Sequence, residues 1–271
     1  MNSSTLLTPP TSILSGLKAG LVNYELLSEY DFREVDLRGA NLNQISFLGT
    51  DLRGAILSET SLQGADLRGA DLRGASLQGA DLRGASLNRA MLQKTDLSRA
   101  NLTEVRLQVA YYDKDTRWPE GFDYKNSGAI GPQANLPGGY LCTANLRNTE
   151  LQGINLLGAY LNGTDLTGAN LENAKLSGAT MRLAFLTGAY LRNARLNGVD
   201  LQGADLRAAD LSGVEMQHIE SIAGADFSLV QGLSETNRAI LLNRPAKELD
   251  VWNPYTRTTT RESLEISALS G

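Results

Sequence analysis

The sequence has 271 residues, of which 42% are hydrophobic and only 6% aromatic, with 27 glycines and a formal net charge of −5. The negative net charge argues against a basic surface that would bind nucleic acid. The single cysteine cannot form an internal disulfide. No stretch approaches the roughly 18 consecutive apolar residues of a membrane span. We therefore expect a cytoplasmic protein without a nucleic-acid or membrane partner, whose interior is built from leucine and small residues.

Residues 1–30 precede any repeat and are assigned to an N-terminal capping region. Leu14, Leu17 and Leu21 lie at helical spacing after Ser12, a residue type that often caps helix N-termini. The pattern predicts a short capping helix with Ser12 as its N-cap.

A period of five governs residues 31–107, where Leu or Phe recurs from Phe32 to Leu107. This period fits neither an unbroken α-helix nor an unbroken strand, which bring residues to one face at spacings of three and four or of two. In pentads such as "DLRGA" at 66–70, we number the residue before leucine as the first position. The second (Leu) and fifth (Ala) positions then share an inward face, and the fourth (Gly) forms a corner.

An insertion at residues 108–135 interrupts the period. It contains five aromatic residues, whereas a flexible linker would be poor in aromatics. We expect the insertion to fold against the repeats, and four of these aromatics are candidates for contact with a partner: Tyr111, Tyr112, Trp118 and Phe122.

The period resumes in a shifted phase at residues 136–230, with leucine or methionine recurring from Leu136 to Met216. The last segment, 231–271, opens with Ser234 as a candidate N-cap and has Pro245 as a stop signal, which predicts a second capping helix. The tail at 255–271 is polar, and we expect much of it to be mobile.

Successive pentads must close into coils, and the coils must stack so that unpaired backbone groups bond to the next coil, which predicts an all-β solenoid. The pattern A(D/N)LXX, as in "ADLRG", "ANLTE" and "TDLTG", covers residues 31–216 and resembles the pentapeptide-repeat family. The resemblance implies a right-handed quadrilateral β-helix of four pentads per coil, with short helical caps at both ends and one irregular insertion. The insertion is similar to one in cyanobacterial members, including the heterocyst-regulating pentapeptide-repeat proteins.

Polar columns on this coil favour structure over catalysis. Residues twenty apart stack, so Asp31 begins a column of aspartates beside the column of arginines that begins at Arg33, and such a ladder is typical of solvated ion pairs. His218 is the only histidine and has no nucleophile beside it, and Cys142 faces outward without a neighbour that would lower the pKa of its thiol. We therefore expect no enzyme activity, no cofactor and no metal.

Apolar residues at outward positions give a stronger signal, because exposed aromatic clusters favour protein contacts. Tyr140 and Tyr160 are twenty residues apart and are expected to stack on one outer face. Four more candidates are expected on neighbouring sides or corners: Leu157, Leu183, Phe185 and Tyr190. The alternative for Tyr140 is that it packs under the insertion.

These observations favour a non-enzymatic scaffold that binds another protein and is itself a monomer or weak homodimer. The family resemblance narrows the expectation to direct contact with a cyanobacterial differentiation or transcription regulator. The alternative is a DNA mimic that binds or protects a type II topoisomerase (gyrase). Charge weakens that alternative, because 31–107 carries 10 acidic and 10 basic residues and 136–216 carries 7 and 6.

Overall fold

The computed structural model of the chain describes residues 8–9, 11–19, 27 and 30–268. The chain divides after Ile130 into two compact units, one ending at Ile130 and the other beginning at Gly131. Among the described residues, no helix is both long and apolar enough to cross a membrane.

Single-residue parallel bridges hold the repeats together in both units. They join first positions twenty residues apart, as in Asp51 to Asp71 and Asp71 to Met91, so four pentads complete one coil. Within the described ranges the repeats contain only such isolated bridges and no longer strands. Each side of the coil is therefore one bridged residue with its immediate neighbours.

Backbone hydrogen bonds follow the same rule in most pentads. The N–H groups of the second and fourth positions donate to the following coil, as Leu67 N does to Ser86 O at 2.8 Å. The first position donates to the preceding coil, as Asp66 N does to Ile45 O at 2.8 Å, and the fifth closes the turn onto its own pentad. Since a buried unpaired N–H is costly, this pattern explains why coils are stable only when stacked.

The second and fifth positions form the core. Leu57, Leu67 and Leu77 are fully buried, and so are the fifth-position residues Ala65 and Ala70. The inward leucine and alanine columns predicted from the sequence are thus confirmed.

The fourth position is the corner, and its φ is positive throughout. Gly69 has φ of 65°, and non-glycine residues adopt the same conformation, including Leu183 at 58°. A left-handed conformation costs an L-residue roughly 1–2 kcal/mol, which accounts for the frequency of glycine here.

The N-terminal helix, α1, runs from Thr11 to Ala19 and buries Leu17. The predicted short helix is confirmed, but the choice of Ser12 as N-cap was wrong: Ser12 lies inside the helix, where its carbonyl accepts a hydrogen bond from Ser15 Oγ. Leu21 lies outside the described residues.

The insertion begins later than its predicted boundary at residue 108. Tyr111 bridges to Met91, and Arg117 bridges to Asp96, so the first unit keeps its ladder through most of another coil. The chain then leaves the ladder, forms a short 3-10 helix at Tyr124–Asn126, and returns at Ile130. One extra residue before Arg117 lengthens the spacing and hides the repeat from a strict count of five.

In the second unit the ladder runs from the Asn135–Asn155 bridge to the Asp210–Gln231 bridge. Helix α2 (Glu235–Leu242) follows, with the Ser234 side chain accepting a hydrogen bond from Asn237 N, as the sequence predicts for an N-cap. The shorter helix α3 (Ala246–Leu249) comes directly after Pro245.

As far as Ala268, where the described residues end, the C-terminal tail is a structured cap, and the expectation that much of it is mobile was wrong. Helix α4 (Thr260–Ala268) buries Thr260, Ser263 and Leu264. Thr260 Oγ1 donates to Ile222 O at 3.0 Å, and Ser263 Oγ accepts from Phe227 N at 3.0 Å. The physical reason is that the last coil has backbone groups with no next coil to bond, and polar side chains of the tail satisfy them.

Candidate interaction surface

Tyr140 and Tyr160 form an exposed aromatic pair on the second unit. They occupy first positions one coil apart and are joined by a parallel bridge, which places their ring centroids 6.1 Å apart with the planes tilted by 42°. Their exposed fractions are 77% and 49%. The predicted stacking of the two rings is confirmed.

The corner beside these tyrosines carries little side-chain bulk. Leu157, at the third position of the preceding side, is 42% exposed. The fourth position at this corner is glycine in three successive coils, at Gly138, Gly158 and Gly178. A Cβ on any of these glycines would meet open space. We define the Tyr140–Tyr160 surface as these glycines, the two tyrosines, Leu157 and the exposed Pro137.

Two of the predicted site residues lie further along the coil. Leu183 is at the next corner, and Phe185 is on the side that follows it. Phe185 is only partly exposed, because Tyr255 from the C-terminal segment lies 4.7 Å from its ring centroid. Leu183 is 43% exposed, and its Cδ2 lies 2.7 Å from the place that a Cβ of Gly203 would occupy. Phe185 therefore packs against the C-terminal segment of its own unit, and the partner-binding roles of Leu183 and Phe185 stay predictions.

Tyr190 does not join this surface, and its predicted place on a neighbouring side was wrong. It bridges to Asn170 and Asp210, whereas Tyr160 bridges to Tyr140 and Thr180, so one whole side separates the two columns in either direction around the coil. Tyr190 is 46% exposed, and the Arg192 guanidinium carbon lies 5.8 Å from its ring centroid.

The aromatic residues of the insertion pack on one another in the first unit. Trp118 lies between Phe122 and Tyr124, with ring centroids 5.5 Å and 5.6 Å away, and Tyr112 meets Trp118 edge-on at 5.5 Å. Tyr112 is 5% exposed, and burial raises its pKa. This burial leaves little of the Tyr112 ring for a partner to contact, and its role in partner binding stays a prediction.

The insertion is folded against its unit, as expected. Thr116 Oγ1 donates to Leu92 O at 2.8 Å, and Tyr112 N donates to Ile130 O at 3.0 Å. Tyr111 is half-buried, and burial raises the pKa of its phenol. Roles in partner binding for Tyr111, Trp118 and Phe122 stay predictions, though the packing of the last two leaves little free surface.

A second group of exposed apolar residues was missed from the sequence. Val251, Trp252 and Tyr255 are 37%, 62% and 48% exposed, and they flank the buried Asn253. The aromatic pair in "VWNPY" is the signal in the sequence that could have found them.

The aspartate columns of the first unit are neutralised by arginines, as predicted. Each Asp at a first position with an Arg two residues later forms an ion pair with it: the pairs are 31/33, 36/38, 51/53, 66/68, 71/73 and 81/83. Arg53 also reaches the next coil, with its Nε 3.6 Å from Asp71 Oδ2. The aspartate also accepts the otherwise unused third-position N–H, as Asp81 Oδ1 does from Arg83 N at 3.3 Å.

These pairs predict an acid sensitivity. Hydrogen bonds from Arg83 lower the pKa of Asp81 from its usual 3.8 to about 2. A lowered carboxyl pKa stabilises the folded chain above the usual pKa, and this contribution is lost as pH falls from about 4 to about 2. We expect the melting temperature to fall over this range and Asp81→Asn to reduce the fall. Glu104→Gln, which removes an exposed carboxylate without an ion pair within the described chain, should leave the slope unchanged; equal slopes for all three proteins would contradict this account.

The other polar residues considered from the sequence are His218 and Cys142. His218 takes a fourth position with φ of 51° and lines a shallow groove of about 470 Å³ together with Arg244 and Glu248. Arg244 binds Glu248 at 2.8 Å and donates to Ile219 O at 2.7 Å, so this groove is part of the C-terminal cap. Cys142 faces outward and is half-buried. In the described ranges no group of three or more metal-ligating side chains is found.

The repeat geometry agrees with a sequence comparison. A family model for pentapeptide repeats matches residues 31–69, 70–108, 144–182 and 184–218, in 8 copies over more than half of the chain. The chain belongs to the pentapeptide repeat family. Among proteins of curated function, none matches this sequence.

Solved structures of pentapeptide repeat proteins are similar to parts of the chain. The pentapeptide repeat protein alr5209 from Nostoc PCC 7120 is 36% identical over 45% of this chain and 95% of its own, with a TM-score of 0.38. HetL from the same cyanobacterium, a protein involved in heterocyst differentiation regulation, is 27% identical over 83% and 94%, with a TM-score of 0.32. Full-length QnrB1, a plasmid-mediated fluoroquinolone resistance protein, is 17% identical over 78% and 96%, with a TM-score of 0.38. Because these TM-scores are below 0.5, the functional conclusions rest on the geometry of this chain.

Proposed function

We propose that this pentapeptide repeat protein is a non-enzymatic scaffold that binds another protein through the Tyr140–Tyr160 surface. The observation that carries the proposal is the exposed pair of rings, held at 6.1 Å by a bridge between two coils. Large aromatic side chains dominate binding at protein interfaces, and a surface that is already rigid loses little conformational entropy on binding.

The backbone beneath the pair is fixed on both sides. Leu141 N donates to Tyr160 O at 2.8 Å, and Tyr160 N donates to Gly139 O at 2.9 Å. The buried Leu141 and Leu161 anchor the residues that follow each tyrosine. The two rings are therefore presented by the core itself and not by a loop.

The proposal also includes four properties that we expect from the sequence. They are the right-handed quadrilateral winding of the coils, a cytoplasmic location, a monomeric or weakly dimeric state, and regulation of a cyanobacterial differentiation or transcription regulator by direct contact. The last of these is supported only by analogy at the level of the family.

The DNA-mimic alternative is weakened by the ion pairs of the first unit. A mimic must present unpaired negative charge at the density of a duplex, and here each DLR aspartate of residues 31–83 is paired with an arginine. Inhibition or protection of gyrase by a stoichiometric amount of the protein in a supercoiling assay would reverse this ranking.

The proposal is tested by affinity capture from the native host with three proteins: the natural chain, the double variant Tyr140→Ser/Tyr160→Ser, and Tyr190→Ser. Tyr190 is a matched control because its exposure, 46%, is close to that of Tyr160. We expect the double variant to lose at least one protein partner that the other two retain, with unchanged melting temperatures. An identical set of captured proteins for all three would contradict the proposal.

A further inference from the structure

The Tyr140–Tyr160 surface has no charged side chain. Residues 137–143, 157–164 and 177–181 contain no Asp, Glu, Lys or Arg, although 20% of the whole chain is charged. The next charges in this column are Arg182 and Asp200, and they satisfy each other at 2.5 Å. A charged partner would lose hydration here without gaining an ion pair, so the surface favours an uncharged ligand.

The two tyrosines offer apolar ring faces and hydrogen-bond donors. Their ring centroids lie 6.1 Å apart with the planes tilted by 42°, so the two exposed rings form one apolar surface on which a compact apolar group can pack. Both tyrosines are exposed, so their phenol O–H groups can donate hydrogen bonds to a ligand. The glycine corner at Gly138, Gly158 and Gly178 lets a ligand backbone approach closely.

A polyproline II segment matches these features. Its pyrrolidine rings are compact and apolar, and its backbone carbonyls have no internal hydrogen bonds and accept donors such as tyrosine. It repeats every three residues, or about 9.3 Å, which is close to the spacing of two coils at about 4.8 Å each. A segment that lies along the stack therefore stays in register with the coils.

We propose that the Tyr140–Tyr160 surface binds an uncharged, proline-rich segment of the partner protein in the polyproline II conformation. The segment lies along the glycine corner, with a proline ring packed on the exposed faces of Tyr140 and Tyr160 and with Leu157 and Pro137 on its other side. This inference rests on the proposed function, because it specifies the partner of the same surface.

The test is a fluorescence anisotropy titration of the full chain into dye-labelled decaproline. A Gly/Ser peptide of equal length is the control for chain length, and cellohexaose is the competitor that represents a stacked neutral sugar. The protein variants are Tyr140→Ser/Tyr160→Ser, Leu157→Glu and the matched control Tyr190→Ser. Circular dichroism and a cooperative melt establish that each variant keeps its fold.

We expect saturable binding of decaproline, weakened about tenfold or more by the double tyrosine variant. Leu157→Glu should also weaken binding, because it places an unpaired charge on the surface, while Tyr190→Ser should bind as the natural chain does. The inference is overturned if decaproline fails to bind, if the Gly/Ser peptide binds equally well, if the tyrosine variant binds unchanged, or if cellohexaose displaces the peptide.

The outcomes separate this inference from the proposed function. If affinity capture depends on the tyrosines but decaproline does not bind, the inference fails and the scaffold function stands. If decaproline binds at the tyrosines but capture is unaffected by their loss, the surface is a proline-rich peptide site and the proposed scaffold function fails.

Discussion

Leu77→Ala is expected to lower the free energy of unfolding of the first unit by about 2–5 kcal/mol. Leu77 is fully buried at a second position, and Leu57 and Leu97 occupy the same position one coil before and one coil after it. Removing the side chain leaves a cavity that rigid, hydrogen-bonded coils can close only in part. The measurement is urea denaturation followed by circular dichroism.

Leu48→Ala is the matched control, because it makes the same chemical change at an outward position of the same unit. Leu48 is 54% exposed, so its loss should change the free energy of unfolding by no more than about 0.5 kcal/mol. Equal effects for the two variants would mean that leucines at second positions do not form the core.

Asn253→Ala is expected to destabilise the C-terminal cap by about 2–3 kcal/mol. Asn253 is 1% exposed, and its Nδ2 donates to Gly224 O at 2.8 Å and Ala204 O at 3.1 Å. Its Oδ1 accepts from Tyr255 N at 2.8 Å and Thr256 N at 3.1 Å. Alanine would leave these groups of the coil and of the segment without partners.

Amide hydrogen exchange measures this effect where it occurs. Residues 251–266 should exchange markedly faster in Asn253→Ala, and the coils at 136–200 should change little. Asn243→Ala is the control, since Asn243 is an exposed C-cap of α2. Unchanged exchange around residue 255 in Asn253→Ala would show that the amide does not hold the segment.

The repeat itself could be predicted from the sequence, because a period of five leaves few geometric choices. Once four pentads make a coil, a separation of twenty residues places Tyr160 over Tyr140, and the structure agrees. The same arithmetic applied to Tyr190, thirty residues beyond Tyr160, gives one coil and two further sides. A spacing of thirty residues therefore already places Tyr190 two sides away from Tyr160, as the structure shows.

The packing of the caps and of the insertion could not be predicted in the same way. The groups to which these segments form hydrogen bonds and contacts are distant in sequence. Asn253, Thr260 and Ser263 have the composition of a solvated tail, yet they are buried because they bond backbone groups 29 to 49 residues away. Tyr112 resembles an exposed aromatic until the chain returns at Ile130 to cover its coil. No local pattern reports contacts of this kind.

Site-specific photo-crosslinking tests whether the Tyr140–Tyr160 surface contacts a partner protein. A photoreactive phenylalanine analogue replaces Tyr160 in one protein and Tyr190 in another, and both are irradiated in extract of the native host. We expect a discrete protein adduct at position 160 and none at position 190. The additional change Tyr140→Ser should suppress the adduct at position 160. Equal adducts at both positions, or an adduct at position 190 alone, would contradict the proposed function.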